Sequence, residues 1–242
     1  MSTVSQVTTS GRRRRPLAAL IAAIVLVALP AASATAGAGT VHARQEIVAL
    51  LRPHEARSLP RARSAGLGLV PSITPITAGR TVLPLLARRG QWLKVRLPGR
   101  PNGHTGWINR VATISSVTGW HIVVDRSRKQ VTVYRAGRPV RVFRAIVGKP
   151  STPTPSGEFF VEESIALRAG DVGAPFALAL SARSNVLQEF DGGPGQIALH
   201  GLANVGGVLG TAVSHGCIRL ADDTMRWLAA RIVPGVPVTI SG

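Results

Sequence analysis

The sequence predicts a mainly β protein whose last domain carries one helix. Short runs of β-branched and apolar residues recur between residues 72 and 242, and clusters of glycine and proline separate them, as is typical of strands joined by turns. One stretch of that domain has helical spacing. From Asp223 to about Ile232 apolar residues recur at i, i+3, i+4 and i+7, and Asp222 is the candidate N-cap. With 242 residues, of which 45% are hydrophobic, the chain is long enough for one or two folded domains.

Residues 1–36 have the organisation of an export signal. Four consecutive arginines at 12–15 precede an apolar run from 17 to 29, and small residues at 31–36 offer Ala-x-Ala cleavage sites. The apolar run is shorter than the ~20 residues that a membrane-spanning helix needs. A cleaved signal peptide is the favoured interpretation, and an uncleaved N-terminal membrane anchor is the alternative. Both predict that the rest of the chain is exported.

Two further segments precede the last domain. Residues 37–71 have weak periodicity and predict a linker, with a short helix at about 45–51. Residues 72–118 predict a small β-barrel-like module with strands at 81–86, 91–97 and 106–108, and residues 97–103 are dense in turn formers. The stretches at 92–96 and 106–108 resemble the bacterial SH3-like modules of cell-wall enzymes.

Residues 119–242 predict a second, larger β domain. Apolar or alternating runs indicate strands at 121–125, 130–134, 140–147, 158–161, 176–180, 196–200 and 237–240. The Arg135-Ala136-Gly137-Arg138 segment indicates a hairpin turn. Residues 162–175 are polar and contain glycine, so we expect a long loop that is a candidate lid.

The net charge of +18 favours a polyanionic partner. Residues 37–118 contribute +10 of this charge, and residues 119–242 contribute only +4. Aromatic residues make up 4% of the chain, too few for the stacking platforms of single-strand nucleic-acid binders. We therefore expect no nucleic-acid partner, and expect the N-terminal segments to bind an anionic cell-wall polymer or a membrane surface.

Cys217 is the only cysteine in the chain. A single cysteine excludes an internal disulfide and a multi-cysteine metal site, and a free thiol is unusual in an exported protein. Two histidines are near it in sequence, His200 at the end of a predicted strand and His215 two residues before the thiol. An imidazole that takes the proton of a thiol makes the sulfur a good nucleophile.

The two histidines have different expected roles. His200 can approach the sulfur from a neighbouring strand and is the candidate general base, whereas the side chains of residues i and i+2 in an extended segment are roughly parallel and seldom meet. His215 is therefore expected to shape the site. Gly216 permits close approach of the backbone, and the N–H groups of Gly216 and Cys217 are candidates for an oxyanion hole. Residue type and spacing alone also allow a buried, structural cysteine.

A resemblance to a known family favours the catalytic interpretation. His200-Gly201 followed by Ser214-His215-Gly216-Cys217-Ile218-Arg219 resembles the signature of the L,D-transpeptidases, and the segment Thr152-Pro153-Thr154-Pro155-Ser156-Gly157-Glu158-Phe159 resembles the stretch that precedes a core strand in that family. The similarity covers residues 119–242. Arg219 stands where some members have asparagine, so recognition of the substrate is the property that this departure affects.

The resemblance implies a β-sandwich catalytic domain that acts on peptidoglycan stem peptides without a metal or cofactor. Cys217 would attack a stem carbonyl, and a backbone carbonyl such as that of Gly201 would orient His200, the general base. Ser214, His215, Gly216 and Gly201 would shape the site. Arg219, Thr154, Ser156 and Gly157 would contact substrate, although a structural turn is an equal interpretation for the last three.

Three alternatives remain open from the sequence. Water in place of the amine acceptor would make the protein an L,D-carboxypeptidase. A sortase fits less well, because its essential arginine lies on a later strand and no arginine follows Arg231 in this chain. A papain-like wall peptidase fits less well, because its cysteine precedes its histidine and no histidine follows Cys217. A non-enzymatic wall-binding protein is disfavoured, because such a protein needs neither His200 nor Cys217.

Overall fold

The N-terminal module is a seven-stranded antiparallel sheet. A computed structural model describes residues 1–3, 41–190 and 192–242. The strands run in the spatial order β3-β2-β6-β5-β4-β1-β7. They are β1 (Gln45–Leu50), β2 (His54–Arg57), β3 (Gly66–Val70), β4 (Val82–Arg89), β5 (Trp92–Arg96), β6 (Thr105–Asn109) and β7 (Thr113–Thr118).

The module therefore begins earlier than the sequence predicts. The helix expected at about 45–51 is wrong, because these residues form β1, which pairs along one edge with β4 and along the other with β7. β-Branched Ile47 and Val48 suit such a pleated, buried position. The expected linker at 37–71 likewise contains β1, β2 and β3 in its described part.

The expected signal or anchor at 1–36 lies almost wholly outside the described residues. Within the described ranges, no helix is both long enough and apolar enough to span a bilayer.

The C-terminal domain contains an eight-stranded mixed sheet in the order β10-β9-β8-β17-β12-β13-β14-β16, together with the small pair β11-β15. Its elements are β8 (Trp120–Asp125), β9 (Gln130–Arg135), β10 (Arg138–Arg144), β11 (Val147–Gly148), β12 (Gly157–Ala166), β13 (Phe176–Arg183), β14 (Gln196–His200), β15 (Ala212–Ser214), β16 (Ile218–Arg219), α1 (Asp222–Ala229) and β17 (Pro237–Ser241).

Strand β12 turns the corner between the two layers of this domain. Its first residues, Gly157 to Phe160, pair with β17, and its later residues, Val161 to Ala166, pair with β13. The buried side chains of β8 and β9 on one side and of β13, β14 and β16 on the other belong to one hydrophobic core, and α1 packs into it through Met225 and Leu228. The mainly β sandwich predicted from the sequence is confirmed.

Strand β12 also joins the domain to the module. Successive residues of a strand point to opposite faces, and here Phe159 enters the core of the C-terminal domain whereas Phe160 enters the core of the module. Two residues beyond Val161, the buried carboxylate of Glu163 accepts hydrogen bonds from the Thr77 N–H at 2.7 Å and the Thr77 hydroxyl at 2.8 Å. The two parts of the chain therefore share apolar and polar contacts through one strand.

Two local predictions for this domain are wrong. The loop expected at 162–175 is shorter, because β12 continues to Ala166; its polar Glu162 and Glu163 remain in the strand because both are hydrogen-bonded. Asp222 does not cap the helix. It is the first helical residue, and its carboxylate accepts a hydrogen bond from the Leu202 N–H at 2.8 Å instead.

Candidate active site

A short parallel ladder brings the candidate base and the candidate nucleophile together. Strands β14 and β16 pair with Leu199 opposite Ile218 and His200 opposite Arg219. Leu199 and Ile218 are fully buried in the core. Because side chains alternate along a strand, His200 and Cys217 lie on the other face. Cys217 precedes Ile218 and so lies diagonal to His200, and both side chains face the same cavity.

This face forms part of a cavity of about 220 Å³. Strands β14 and β16 contribute Gln196, Ile197, His200 and Arg219 to its lining. The residues outside the strands that line it are Val172, Ser184, Leu187, Phe190, Gly195, Val205, His215 and Cys217. We call this space the catalytic cavity. It is lined mostly by apolar side chains with a few convergent polar groups, the usual character of a ligand site.

One hydrogen bond sets the tautomer of His200. The ring Nδ1 lies 2.9 Å from the carbonyl oxygen of Gly201, and because a carbonyl can only accept, Nδ1 carries the hydrogen. The neutral ring therefore has its lone pair on Nε2. Burial lowers the pKa of His200 below its ordinary value, and the Arg219 cation lowers it further, against an opposing contribution from the Gly201 carbonyl.

Gly201, whose carbonyl orients His200, is itself fixed by contacts with the loop before β13. Its N–H donates to the Gly173 carbonyl at 2.7 Å, so this N–H is not free to bind substrate. A Cβ on Gly201 would overlap the carbonyl oxygen of Ala174, which shows how closely the neighbouring loop approaches. Only glycine permits this contact, and the contact helps to bury the imidazole.

Ser214 organises the turn that carries the thiol. Its hydroxyl donates to the Cys217 carbonyl at 2.6 Å and accepts from the Gly216 N–H at 3.1 Å. Gly216 has φ +123, a conformation that residues with a side chain rarely adopt. The expectation that the Gly216 N–H contributes to an oxyanion hole is therefore wrong, because that group is already bonded. The Cys217 N–H has no acceptor among the described residues.

Thr154 is a support for this turn and not a substrate contact. It is 1% exposed, and its hydroxyl donates to the Gly216 carbonyl at 2.8 Å and accepts from the Gly148 N–H at 2.9 Å. Ser156 is exposed and Gly157 begins β12, and neither lines the catalytic cavity. The three residues expected to bind substrate in this segment therefore do not meet at the site.

The thiol is un-ionised at neutral pH. Burial raises the pKa of Cys217 above its ordinary value, and this outweighs the opposing contributions of the Ala198 backbone and the Arg219 cation. The Sγ atom also lies 4.0 Å from the Gln196 carbonyl oxygen, which disfavours a negative sulfur. The site therefore combines a neutral thiol with a neutral imidazole, and the proton must move when a substrate is attacked.

Arg219 presents a cation at the edge of the cavity. One of its terminal nitrogens, Nη1, is 3.3 Å from the Gly206 carbonyl, and its buried Nε has no acceptor among the described residues. Because Arg219 lines the cavity, its guanidinium places a positive charge there. His215 is exposed, lines the cavity and stacks on Phe190, with ring centroids 5.6 Å apart.

Several lining residues carry no signal in the sequence. Leu187, Phe190 and Gln196 belong to a loop and a strand end whose composition resembles that of many surface segments. Their role depends on where the connection between β13 and β14 folds, and that is set by contacts with distant residues.

The contrast between Thr154 and Ser156 is testable. Thr154→Val removes a buried donor and acceptor and leaves the Gly216 carbonyl and the Gly148 N–H unsatisfied, so we expect a loss of about 2 kcal/mol in the free energy of unfolding. Ser156→Ala, the matched control on an exposed site, should change it by less than about 0.5 kcal/mol. Urea denaturation measures both, and equal losses would contradict the role assigned to Thr154.

The ionisation of Cys217 can be followed by alkylation with iodoacetamide across pH, since only the thiolate reacts. The raised pKa predicts that the midpoint for Cys217 lies above that for glutathione under the same conditions. Arg219→Ala should move the midpoint higher still, because it removes the cation that favours the thiolate. A midpoint at or below that of glutathione would show that the thiol is not held neutral.

Comparison with known proteins agrees with the site. A family model described as the L,D-transpeptidase catalytic domain (YkuD) matches residues 119–240. L,D-transpeptidase 1 from Mycobacterium tuberculosis H37Rv is 30% identical over 132 residues, which cover 50% of this chain and 49% of that protein. The putative L,D-transpeptidase YkuD from Bacillus subtilis 168 is 31% identical over 125 residues, which cover 50% of this chain and 66% of that protein.

The match thus spans about half to two thirds of the length of these relatives. Among solved structures, an L,D-transpeptidase from Mycobacterium smegmatis is similar with a TM-score of 0.40 and 22% identity, over 67% of this chain and 91% of that one. Because the family model covers half of the chain and includes the whole of the site described above, the chain belongs to the L,D-transpeptidase catalytic-domain family.

Proposed function

We propose that this protein is a peptidoglycan L,D-transpeptidase that forms 3-3 cross-links through a thioester on Cys217. The observation that supports this most directly is the placement of His200 and Cys217 on one face of the β14–β16 ladder, inside one cavity. The family membership supplies the reaction class, and the lone thiol supplies the nucleophile.

The first half-reaction forms the thioester. The sulfur of Cys217 attacks the carbonyl carbon of the third residue of a donor stem, while its proton passes to Nε2 of His200, the nitrogen left unprotonated by the bond to Gly201. The carbonyl oxygen becomes negative, and the Cys217 N–H is placed to stabilise it. The C–N bond then breaks, and His200 returns the proton to the departing D-alanine amine.

The second half-reaction consumes the thioester. The side-chain amine of the third residue of another stem attacks the thioester carbon, gives a proton to His200 Nε2 and expels the sulfur, which recovers the proton. A new amide joins the two stems. Arg219, which brings a positive charge to the cavity lining, is suited to bind a stem carboxylate.

Water as the acceptor defines the second candidate function, an L,D-carboxypeptidase. The same thioester would then be hydrolysed to a tripeptide stem. The cavity of about 220 Å³ is lined by both apolar and polar side chains. This lining is compatible with an amine and with water as the acceptor. Comparing sacculi from cells with and without the gene distinguishes the two, because only transpeptidation adds 3-3 dimers.

The proposed substrate also implies where the protein works. Stem peptides lie outside the cytoplasmic membrane, in agreement with the export signal predicted at residues 1–36. The excess of arginine in residues 37–118 then suits binding to an anionic wall polymer or to the membrane surface.

The proposal depends on Cys217 and is tested by its removal. Cys217→Ala should form no covalent adduct with a stem tetrapeptide or a carbapenem, because no other thiol exists in the chain, while remaining folded by circular dichroism. Intact-protein mass spectrometry measures the adduct, and Ser156→Ala serves as the acylated control. An adduct on Cys217→Ala would overturn the proposal, as would a wild-type protein that never acquires one.

The assignment of the base predicts unequal histidine variants. His200→Ala should lower the rate of acylation by about 10² to 10⁴, the range for loss of a general base. His215→Ala, which is exposed and stacked on Phe190, should lower it by less than about tenfold in that same comparison. Single-turnover kinetics measures both rates, and the reverse ranking would exchange the two roles.

A further inference from the structure

One wall of the catalytic cavity is a loop with little hydrophobic anchorage. Residues 184–195 connect β13 to β14, and Ser184, Leu187, Phe190 and Gly195 line the cavity. Phe190 is 52% exposed and Val186 is 51% exposed, so the loop buries few large side chains of its own. Segments with such sparse apolar contacts open readily unless polar contacts hold them.

The bonds within the loop fix its turns. The Ser184 hydroxyl accepts from the N–H groups of Val186 at 3.2 Å and Leu187 at 3.0 Å. At the tip, Phe190 and Gly193 exchange a pair of backbone bonds at 2.9 and 3.0 Å. These contacts give the loop its local shape, but they do not attach it to another element.

The attachment comes from Arg100 in the turn-rich segment of the N-terminal module. Its Nη2 donates to the carbonyls of Ser184 at 2.9 Å and Leu187 at 3.1 Å, and its Nη1 donates to the carbonyl of Pro194 at 3.0 Å. One planar guanidinium therefore bridges the two limbs of the loop. Charged donors of this kind form hydrogen bonds about twice as strong as neutral ones.

The loop backbone is packed tightly under this guanidinium. A Cβ on Gly195 would overlap the carbonyl oxygen of Leu187, which is also an acceptor for Arg100, and would lie 3.4 Å from Arg100 Nη2. The two limbs thus touch backbone to backbone at the place where Arg100 binds them. Removal of the guanidinium would therefore alter the positions of Leu187 and Gly195, both of which line the cavity.

Asn102 secures the same turn to the end of β13. Its side-chain oxygen accepts from the Arg183 N–H at 2.8 Å, and its Nδ2 donates to the Arg183 carbonyl at 2.7 Å and to the side chain of Asn185 at 2.9 Å. The Gly99 N–H adds a bond to the Ser181 carbonyl at 3.2 Å. Gly99 and Asn102, which flank Arg100, therefore bond to the end of β13 and hold Arg100 in place beside the loop.

We propose that Arg100 is a positioning residue that holds the 184–195 wall of the catalytic cavity in the shape that receives the donor stem, and that the N-terminal module is in this way part of the active site. Phe190, at the tip of this wall, stacks on His215 beside Cys217, so displacement of the loop changes the space next to the thiol. The kinetic part of this inference rests on the proposed function, whereas the structural part does not.

The test compares Arg100→Ala with Arg88→Ala in the full chain. Arg88 is the matched control, since it lies on the same module but is exposed and pairs only with groups of the module, Glu46 and Ser115. Arg100→Ala should lower kcat/KM for a stem tetrapeptide about tenfold, the equivalent of about 1.4 kcal/mol, mainly through KM, because the wall binds substrate and does not transfer protons. Arg88→Ala should match the wild type. Arg100→Lys should recover only a small part, because a single ammonium cannot span both limbs.

Two further measurements separate positioning from loss of folding. The circular dichroism spectrum should be unchanged in Arg100→Ala, and amide hydrogen exchange should accelerate in the 184–195 loop but not in β14. An unchanged KM together with unchanged exchange in the loop would overturn the inference. If the wild type were not acylated at all, the proposed function would fail, while the exchange experiment would still decide whether Arg100 holds the loop.

Discussion

The two-residue parallel ladder between β14 and β16 is the constraint on which the site depends. It sets His200 opposite Arg219 and so places Cys217 diagonal to the base. A strand as short as β16 cannot hold this register alone. The Leu220 N–H bonds to the His200 carbonyl at 2.9 Å, and on the other side Arg219 and Ile146 exchange two backbone bonds, each 2.9 Å long. The strand is therefore fixed from both edges, and the burial of Ile218 opposes any slip, which would turn that side chain away from the core.

The segment before β12 supports the turn that carries the Cys217 thiol through hydrogen bonds. Thr154 bonds the Gly216 carbonyl, Thr152 reaches the Ser214 carbonyl at 3.3 Å, and Ser214 closes the turn on Cys217. Three hydroxyl groups therefore bond to the backbone of the turn that carries Cys217, beside the Lys149 N–H that donates to the Ser214 carbonyl at 2.9 Å. Since the same segment leads directly into β12, whose Phe159 and Phe160 enter two different cores, the thiol is indirectly anchored to both parts of the protein.

The sequence predicted best those strands and turns that depend on residues close to one another in the chain. Alternation and turn residues located strands β8, β9 and β14 closely, and the hairpin turn at Ala136-Gly137 follows from a glycine that tolerates positive φ. The strand at Gln45–Leu50 was missed because its partners are 30 to 70 residues away. Asp222 was misassigned for a similar reason, since its carboxylate is bonded to Leu202. The role of Arg100 leaves no mark in the sequence at all, because its three acceptors are backbone carbonyls more than 80 residues away.

The electrostatics of the site connect its chemistry to its location. Burial penalises both the thiolate and the imidazolium, and it is the largest cause of the pKa shift of each group, ahead of the Arg219 cation. The neutral pair is therefore the resting state. A protonated thiol is a poor target for oxidants, which react with the thiolate. A protonated Cys217 is therefore less exposed to oxidation than a thiolate would be. In the function proposed above, the proton therefore leaves Cys217 for His200 only when a substrate carbonyl reaches the sulfur.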